Sequence, residues 1–245
     1  MELAGEIESV GEDVKRFHIG DKVFACTGFV FGAYAQYTCI ADDSKHIRVG
    51  MVALKPSNMT YEEAAAGVTT GGITALVGLR KGKIRGGTPE RKQRVMVYGA
   101  SGSVGTYAVQ LGKHFGADVT GVCSTSNLDM VRSLGADMVI DYAREDLSKY
   151  GKSYDLVFDA VDKLPPSRGK HLLANKGVFV KVGTDDRGVS INDFDFLRGL
   201  VEQGKLKAII DRTYPLEQLV EAHRYVGQGH KKGHVVVTVP HPPSP

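Results

Sequence analysis

The stretch RVMVYGASGSVGTYAVQLGKHFG, residues 94–116, reads as a strand, a glycine-rich turn and a helix in immediate succession. Residues 95–98 form a short apolar run, which predicts a strand buried on both faces. After Gly102 the apolar residues fall at helical spacing, and Gly116 follows the last of them, where a helix C-cap is expected. This succession is typical of a parallel α/β sheet.

The turn contains Gly99, Gly102 and Gly105 at the spacing G-x-x-G-x-x-G, which departs from the usual dinucleotide form G-x-G-x-x-G. Gly99 would permit the exit from the strand, Gly102 the approach of a phosphate, and Gly105 the packing of helix on sheet. Because a helix N-terminus favours anions, we expect a pyrophosphate there. The predicted contacts are Gly99, Ser101, Gly102, Ser103, Val104 and Gly105.

The composition is that of an ordinary globular protein, with 42% hydrophobic and 24% charged residues. At 245 residues the chain is long enough for one large domain or two of ordinary size. The formal net charge of +3 is too small to indicate a nucleic acid or a membrane as partner. The densest basic stretch, residues 80–94, contains two adjacent glycines and a proline, which favours a solvated loop.

The cysteines and the hydropathy pattern bear on the compartment. Cys26, Cys39 and Cys123 are scattered without C-x-x-C spacing, which argues for a reducing environment. The sequence contains no stretch of about eighteen consecutive apolar residues and no apolar signal core. We therefore expect a cytoplasmic protein.

The pattern of elements predicts two kinds of domain. Short strands separated by glycines in residues 1–40, including GAYAQYTCI at 32–40, favour a small β-barrel or sandwich. Residues 61–82 predict a helix, a glycine interruption and a second helix. Strands and helices then alternate as far as Gly183, which predicts a parallel sheet with right-handed crossovers.

Five strands are predicted for this sheet, and no sixth is visible in the sequence. A helix at 164–174, capped at Gly177, is expected before the fifth strand. The later elements are predicted at 193–203 (helix), 207–211 (strand), 215–226 (helix) and 234–239 (strand).

Taken in order, these motifs resemble the quinone oxidoreductase-like, zinc-free branch of the medium-chain dehydrogenase/reductase superfamily. The resemblance covers nearly the whole chain. It is carried by GDKVFA (20–25), GAYAQY (32–37), TYEEAAAG (60–67), GITAL (72–76), VYGASGSVGTYAVQLGKHFGA (97–117), SLGADMVIDY (133–142), VFDAV (157–161), IIDRTYPLEQLVEAHRYV (209–226) and GHVVVTV (233–239).

The resemblance implies an α/β fold with a parallel Rossmann-type sheet and a partial GroES-like β-barrel domain. The domains expected from it are a GroES-like catalytic domain at 1–73, a Rossmann NAD(P)-binding domain at 74–204, a return to the catalytic domain at 205–239 and a disordered tail at 240–245.

Two departures from the family pattern accompany the resemblance. Members normally carry some tens of residues before the position of Met1, and a further strand and helix between Gly183 and the helix near Asp193. We therefore expect a chain that lacks both segments. In family members the second segment completes a six-stranded sheet and often forms the edge at which two subunits pair. A homodimer is expected for this chain, with that usual dimer edge in doubt.

The resemblance also implies that no metal is bound. Met1 and Glu2 stand where the zinc enzymes have Gly-His-Glu, and the four-cysteine structural lobe is absent. A catalytic zinc needs three protein ligands, and the histidines of this chain show no ligand spacing.

The end of the second strand of the parallel sheet, Cys123 to Asn127, bears on the choice of cofactor. An acidic residue there would accept hydrogen bonds from the ribose 2′-hydroxyl of NAD, but this segment has none. Ser124, Thr125 and Asn127 can donate to a 2′-phosphate instead, so NADP (NADPH) is the expected cofactor, although no basic partner is obvious.

Other site residues follow from the resemblance alone. Thr74 would lie near the nicotinamide, Tyr142 would line the adenosine end, and Tyr34 would face the substrate cleft. Gly183 and Thr184 would end the fifth strand at the edge where ligands bind. Ordinary roles stay open: a backbone hydrogen bond for Thr74, a loop position for Tyr142 and a core position for Tyr34.

The implied activity is the NADPH-dependent reduction of a small-molecule quinone or α,β-unsaturated carbonyl without zinc. The nicotinamide carries the hydride, and no acid–base residue can be nominated. The alternative is a catalytically weak NADP-binding protein that acts as a sensor or partner. A methyltransferase that binds S-adenosylmethionine also has a glycine turn, but its C-terminal half would differ.

Overall fold

The computed structural model describes residues 1–42, 46–84, 91–183 and 188–240. Its strands are β1 Glu2–Glu6, β2 Lys22–Cys26, β3 Met51–Leu54, β4 Arg94–Tyr98, β5 Asp118–Cys123, β6 Met138–Asp141, β7 Tyr154–Asp159, β8 Leu173–Lys181, β9 Ile210–Pro215 and β10 His234–Thr238. Its α-helices are α1 Tyr61–Ala65, α2 Ile73–Lys81, α3 Ser103–His114, α4 Leu128–Ser133, α5 Pro166–His171, α6 Ile191–Glu202 and α7 Leu219–Gly227.

The chain divides into two compact units. The first comprises Met1–Ile73 with Arg187–Pro245, and the second comprises Thr74–Asp186. The predicted boundary at 73 therefore coincides with the observed one. None of the described helices has both the length and the apolar character that crossing a bilayer requires.

The second unit is built on a five-stranded parallel sheet in the order β6-β5-β4-β7-β8. The central strand β4 pairs Val97 with Gly121 of β5 and with Phe158 of β7. Its residues Val95 to Val97 are at most 1% exposed, as expected for an apolar run covered on both faces. The predicted Rossmann-type parallel sheet is confirmed.

The first unit contains a three-stranded antiparallel sheet, β1-β2-β3, and a two-stranded parallel sheet, β9-β10. In the antiparallel sheet β2 is central, and Val23 and Ala25 pack with Phe17 and Val52 in an apolar cluster. This sheet is the GroES-like part that the resemblance implies.

Helix α6 lies in the first unit, whereas the sequence assigned residues 74–204 to the Rossmann domain. The buried Phe194 ring lies 6.0 Å from the ring of Phe24 in β2, and the Asn58 Nδ2 donates to the Val201 carbonyl at 2.9 Å. An amphipathic pattern shows that a helix covers a core, but it does not show which core. For that reason the predicted domain boundary at 204 differs from the observed one.

The prediction of a strand at 32–40 is wrong, because the structure has no strand there. Tyr34 and Tyr37 are more than half exposed, at 53% and 56%. Residues with β-propensity form a strand only where a neighbouring strand supplies hydrogen bonds and a packing surface. No described strand pairs with this segment.

The helix predicted at 164–174 is also shorter than expected. It is α5, Pro166–His171, and β8 already begins at Leu173. The pairing of β7 with β8 jumps from Tyr154 opposite Leu173 to Leu156 opposite Val178, so extra residues bulge from β8. A helical apolar pattern does not reveal such an irregularity. The predicted tail at 240–245 lies outside the described residues, apart from Pro240.

Candidate functional site

The glycine turn lies at the carboxyl end of the central strand β4, directly before α3. The backbone N–H groups of Gly99 and Ala100 both donate to the Val122 carbonyl of β5, at 3.0 Å each. Gly99 has φ +80°, and a Cβ there would lie 2.5 Å from Val161 Cγ1. Both the backbone conformation and the space therefore require glycine at this position.

Gly105 lies in the first turn of α3 and is required for a different reason. A Cβ at Gly105 would lie 2.1 Å from the Gly99 carbonyl oxygen and 2.8 Å from the Ala100 Cα. The helix backbone thus lies directly against the glycine turn, which is the close packing that the sequence predicts for this position.

Gly102 is the N-cap of α3, and the protein's own packing does not require glycine there. Its φ of −84° and ψ of 179° suit any residue, and a Cβ would meet its nearest atom, the Gly99 carbonyl oxygen, at an ordinary 3.4 Å. No side chain caps the helix. A helix N-terminus that no side chain caps fits a pyrophosphate, which would be held next to Ser103 and Val104, the first helical residues.

Asn127 joins this turn to the segment that follows β5. Its Nδ2 donates to the Ser101 Oγ at 3.2 Å and to the Ser124 Oγ at 3.0 Å. Asn127 is 6% exposed, and its Oδ1 is buried without a hydrogen-bond partner. The structure therefore brings together three of the predicted site residues, Ser101, Ser124 and Asn127.

Thr125 is also at this edge, but its hydroxyl donates to Asp141 Oδ2. Asp141 ends β6 opposite Cys123 and is 4% exposed. The Thr125 hydroxyl, helped by the Ala143 N–H and the Arg144 charge, lowers the pKa of the Asp141 carboxyl, so it stays ionised near neutral pH.

The segment 123–127 carries no carboxylate, as the sequence shows, but the neighbouring strand β6 brings one to the same edge. Asp141 is the carboxylate, and sequence reasoning missed it because it considered only the end of β5. The pairing of β5 with β6 was the signal that could have found it, since the carboxyl ends of parallel strands share one edge. Arg144 is a second missed residue: its Nε lies 3.7 Å from Asp141 Oδ2, and its side chain is 75% exposed.

Tyr142 and Gly183 follow strands at the same edge. Tyr142 is 53% exposed, and its ring lies 6.5 Å from the ring of Tyr98, the last residue of β4. Gly183 has φ +81°, and a Cβ there would meet no heavy atom within 4 Å. Thr184 lies outside the described residues.

Thr74 is placed by the packing of α2 on β7. A Cβ at Gly82 would lie 2.4 Å from Leu156 Cδ2, and one at Gly78 would lie 2.6 Å from Phe158 Cζ. Earlier residues of α2 therefore lie closer to the carboxyl end of β7. Thr74, half-buried and one turn before Gly78, lies towards the edge that carries the glycine turn.

Tyr34 belongs to the surface of the first unit. Its ring is 53% exposed and meets the ring of His223 edge-on, with the centroids 5.7 Å apart. The alternative of a core position therefore does not apply to Tyr34.

Within the ranges that the structure covers, no three His, Cys, Asp or Glu side chains are grouped as a metal site requires. The described residues therefore do not offer the three ligands of a catalytic zinc.

Three family models match the chain. Residues 1–109 match the model described as Alcohol dehydrogenase GroES-like domain. Residues 103–209 and 187–237 match two models that are each described as Zinc-binding dehydrogenase.

Curated relatives carry reductase names. The chloroplast envelope quinone oxidoreductase homolog of Arabidopsis thaliana is 30% identical over 264 residues, and the match covers 96% of this chain and 78% of the relative. The NADPH-dependent alkenal/one oxidoreductase of the same plant is 32% identical, and the match covers 96% of this chain and 62% of the relative. The first alignment is longer than the 245 residues of this chain, so it includes positions that the chain lacks.

Solved structures share the fold. The quinone oxidoreductase from Coxiella burnetii superimposes with a TM-score of 0.79 at 26% identity, over 98% of this chain and 78% of that one. A CurK enoyl reductase superimposes with a TM-score of 0.76 at 24% identity.

Proposed function

The chain belongs to the medium-chain dehydrogenase/reductase superfamily, with quinone oxidoreductase-like relatives, and on this premise we propose that it is an NADPH-dependent, zinc-independent reductase of quinones or α,β-unsaturated carbonyls. The observation that carries the proposal is the geometry at Gly102. The glycines on either side of it are required by internal packing, whereas the uncapped start of α3 at Gly102 has room for a Cβ in ordinary contact. A dinucleotide pyrophosphate uses such space together with the N–H groups of the helix N-terminus.

The preference for NADPH is inferred from the side chains around Asn127. The Ser124 Oγ accepts from Asn127, so the Ser124 hydroxyl can direct its own proton to a 2′-phosphate. Arg144 supplies the positive charge that the sequence did not reveal, and it offsets the charge of Asp141. Thr125 can only accept a hydrogen bond from the cofactor, because its proton is engaged by Asp141.

The residues of this chain bind and orient rather than react. When bound, the nicotinamide supplies the hydride. We propose that Thr74 holds the nicotinamide end of the cofactor, while Tyr142 and Tyr98 cover the adenosine end. No side chain is assigned as proton donor, and solvent supplies the proton that the reduced substrate takes up. All three cysteines are free thiols, which is consistent with the proposed reducing, cytoplasmic location.

The test is a steady-state assay of NADPH oxidation with an ortho-quinone or a vinyl ketone. The Gly102→Val variant should lose turnover and NADPH binding together, since its side chain would occupy the pyrophosphate space. The matched control is Gly227→Val, where a Cβ meets nothing within 4 Å. Binding without turnover would favour the sensor or partner alternative, and turnover that survives Gly102→Val would overturn the proposal.

A further inference from the structure

A cavity of about 210 Å³ opens in the first unit. It combines an apolar floor with two guanidinium groups, and its lining is Arg16, Phe17, Ala53, Leu54, Asp195 and Arg198. Ala53 and Leu54 come from β3, and Asp195 and Arg198 come from α6. No step of the proposed reduction uses these residues.

Arg198 contributes a buried donor that lacks an acceptor. Its Nε is buried and has no hydrogen-bond partner, although the side chain as a whole is 29% exposed. One terminal nitrogen lies 3.3 Å from Asp195 Oδ1, one turn earlier on α6. A donor on a charged group that is shielded from water favours any ligand that brings an acceptor.

Arg16 supplies the second guanidinium from the segment before β2. Its Nη1 donates to the Asp42 carbonyl oxygen at 2.6 Å and to Asp42 Oδ1 at 3.1 Å. The guanidinium carbon lies 5.0 Å from the centre of the Phe17 ring. These contacts fix the position of the guanidinium group. Because arginine has five N–H donors, other donors remain available for a ligand.

We propose that this cavity binds a small organic carboxylate. The planar fork of an arginine matches the two oxygens of a carboxylate, and the buried Phe17 and Ala53 offer a surface for hydrocarbon. Inorganic phosphate would leave that apolar surface unused. The volume is below the roughly 300 Å³ at which sites for drug-sized ligands begin, so the ligand is small.

The charges around the cavity predict modest affinity. Arg16 and Arg198 are balanced by Asp42 and Asp195, so the charges of these four side chains cancel. A monocarboxylate adds one negative charge beside two guanidinium groups that are already partly paired. We therefore expect a dissociation constant in the millimolar range. The ligand's hydrocarbon strengthens binding, because it displaces water from the apolar floor of the cavity.

The experiment is a titration of the ¹⁵N-labelled full chain with sodium benzoate, without cofactor, that follows the arginine Nε–H signals by NMR. The Arg198 signal should shift and saturate. Arg198→Lys should weaken binding by about tenfold or more, because lysine keeps the charge but lacks the fork. The matched control is Arg224→Lys. The Arg224 Nη1 lies 3.7 Å from Glu221 Oε1 at the same i, i+3 spacing on α7, but Arg224 does not line the cavity, so its variant should bind as the wild type does.

Two further probes make each outcome decisive. Benzamide has the shape of benzoate without the charge, and equal binding of the two would overturn the role of the guanidinium groups. Inorganic phosphate that binds as well as benzoate would overturn the role of the apolar floor. No saturable shift of the Arg198 signal in the wild type would overturn the proposal outright, whatever the variants do. Since the titration omits NADPH, its failure is distinct from a failure of the proposed reductase function.

Discussion

Gly102 and Gly105 lie one helical turn apart, yet the space around them differs. A Cβ at Gly105 would lie 2.1 Å from a backbone oxygen, whereas one at Gly102 would be in ordinary contact at 3.4 Å. Backbone atoms cannot move aside as the end of a flexible side chain can. We therefore expect stability to depend on Gly105 and, on the proposed function, cofactor binding to depend on Gly102.

We expect Gly105→Ala to lower the free energy of unfolding by about 1–3 kcal/mol, the usual cost of overpacking. Gly102→Ala should cost less than about 1 kcal/mol, since only the preference of the N-cap changes. Urea denaturation of both variants measures the difference. Equal losses would mean that the turn is not packed as described.

His234, the first residue of β10, carries a pH dependence that follows from burial. It is 7% exposed, and burial together with the charge of Lys231 lowers the pKa of its imidazole to about 4. The unfolded chain binds the proton near pH 6.5, so between these values the unfolded state holds more protons. This contribution to stability is therefore lost as the pH falls from about 6.5 to about 4.

We expect His234→Gln to flatten the fall in the free energy of unfolding across this window, by an amount that approaches roughly 3 kcal/mol. Denaturation at a series of pH values measures it. The matched control is the same change at His18, whose side chain is 84% exposed. If the His234 and His18 variants followed the same pH curve as the wild type, burial would not shift the pKa of His234.

The strands of the parallel sheet were the most predictable elements. The sequence predicts strands at 118–123, 138–141 and 154–159, and β5, β6 and β7 begin and end at these residues. Such agreement is expected because buried parallel strands are short apolar runs bounded by turn residues. The bulge in β8 and the missing strand at 32–40 could not be predicted, since both depend on which backbone lies alongside. The same holds for α6, whose apolar face is visible in the sequence but whose partner is not.

The packing of α6 on the antiparallel sheet predicts energetic coupling between Phe24 and Phe194. We expect Phe24→Leu and Phe194→Leu to be non-additive by about 0.5–1.5 kcal/mol, as for other aromatic pairs in contact. The matched pair is Phe24→Leu with Phe158→Leu, because Phe158 is equally buried but lies in the other unit. Additive losses for Phe24 and Phe194 would place α6 elsewhere.

The division of the chain into two units was predictable in outline, because strand-rich and alternating segments differ in their periodicity. Much of the candidate site was predictable as well: the glycine turn, Ser124 and Asn127 follow strands β4 and β5, whose carboxyl ends the sequence identifies. Asp141 and Arg144 were not predicted, because their position depends on the strand order, which brings the end of β6 beside the end of β5.

The proposal that this chain is an NADPH-dependent reductase is tested most directly by calorimetric titration of the wild type and of Gly102→Val with NADPH and with NADH. We predict that the wild type binds NADPH about tenfold or more tightly than NADH, since in the proposed site Ser124, Asn127 and Arg144 would lie beside the 2′-phosphate, and that the variant binds neither. A wild type that prefers NADH, or a Gly102→Val variant that retains NADPH binding, would contradict the assignment of the glycine turn and its neighbours as the cofactor site.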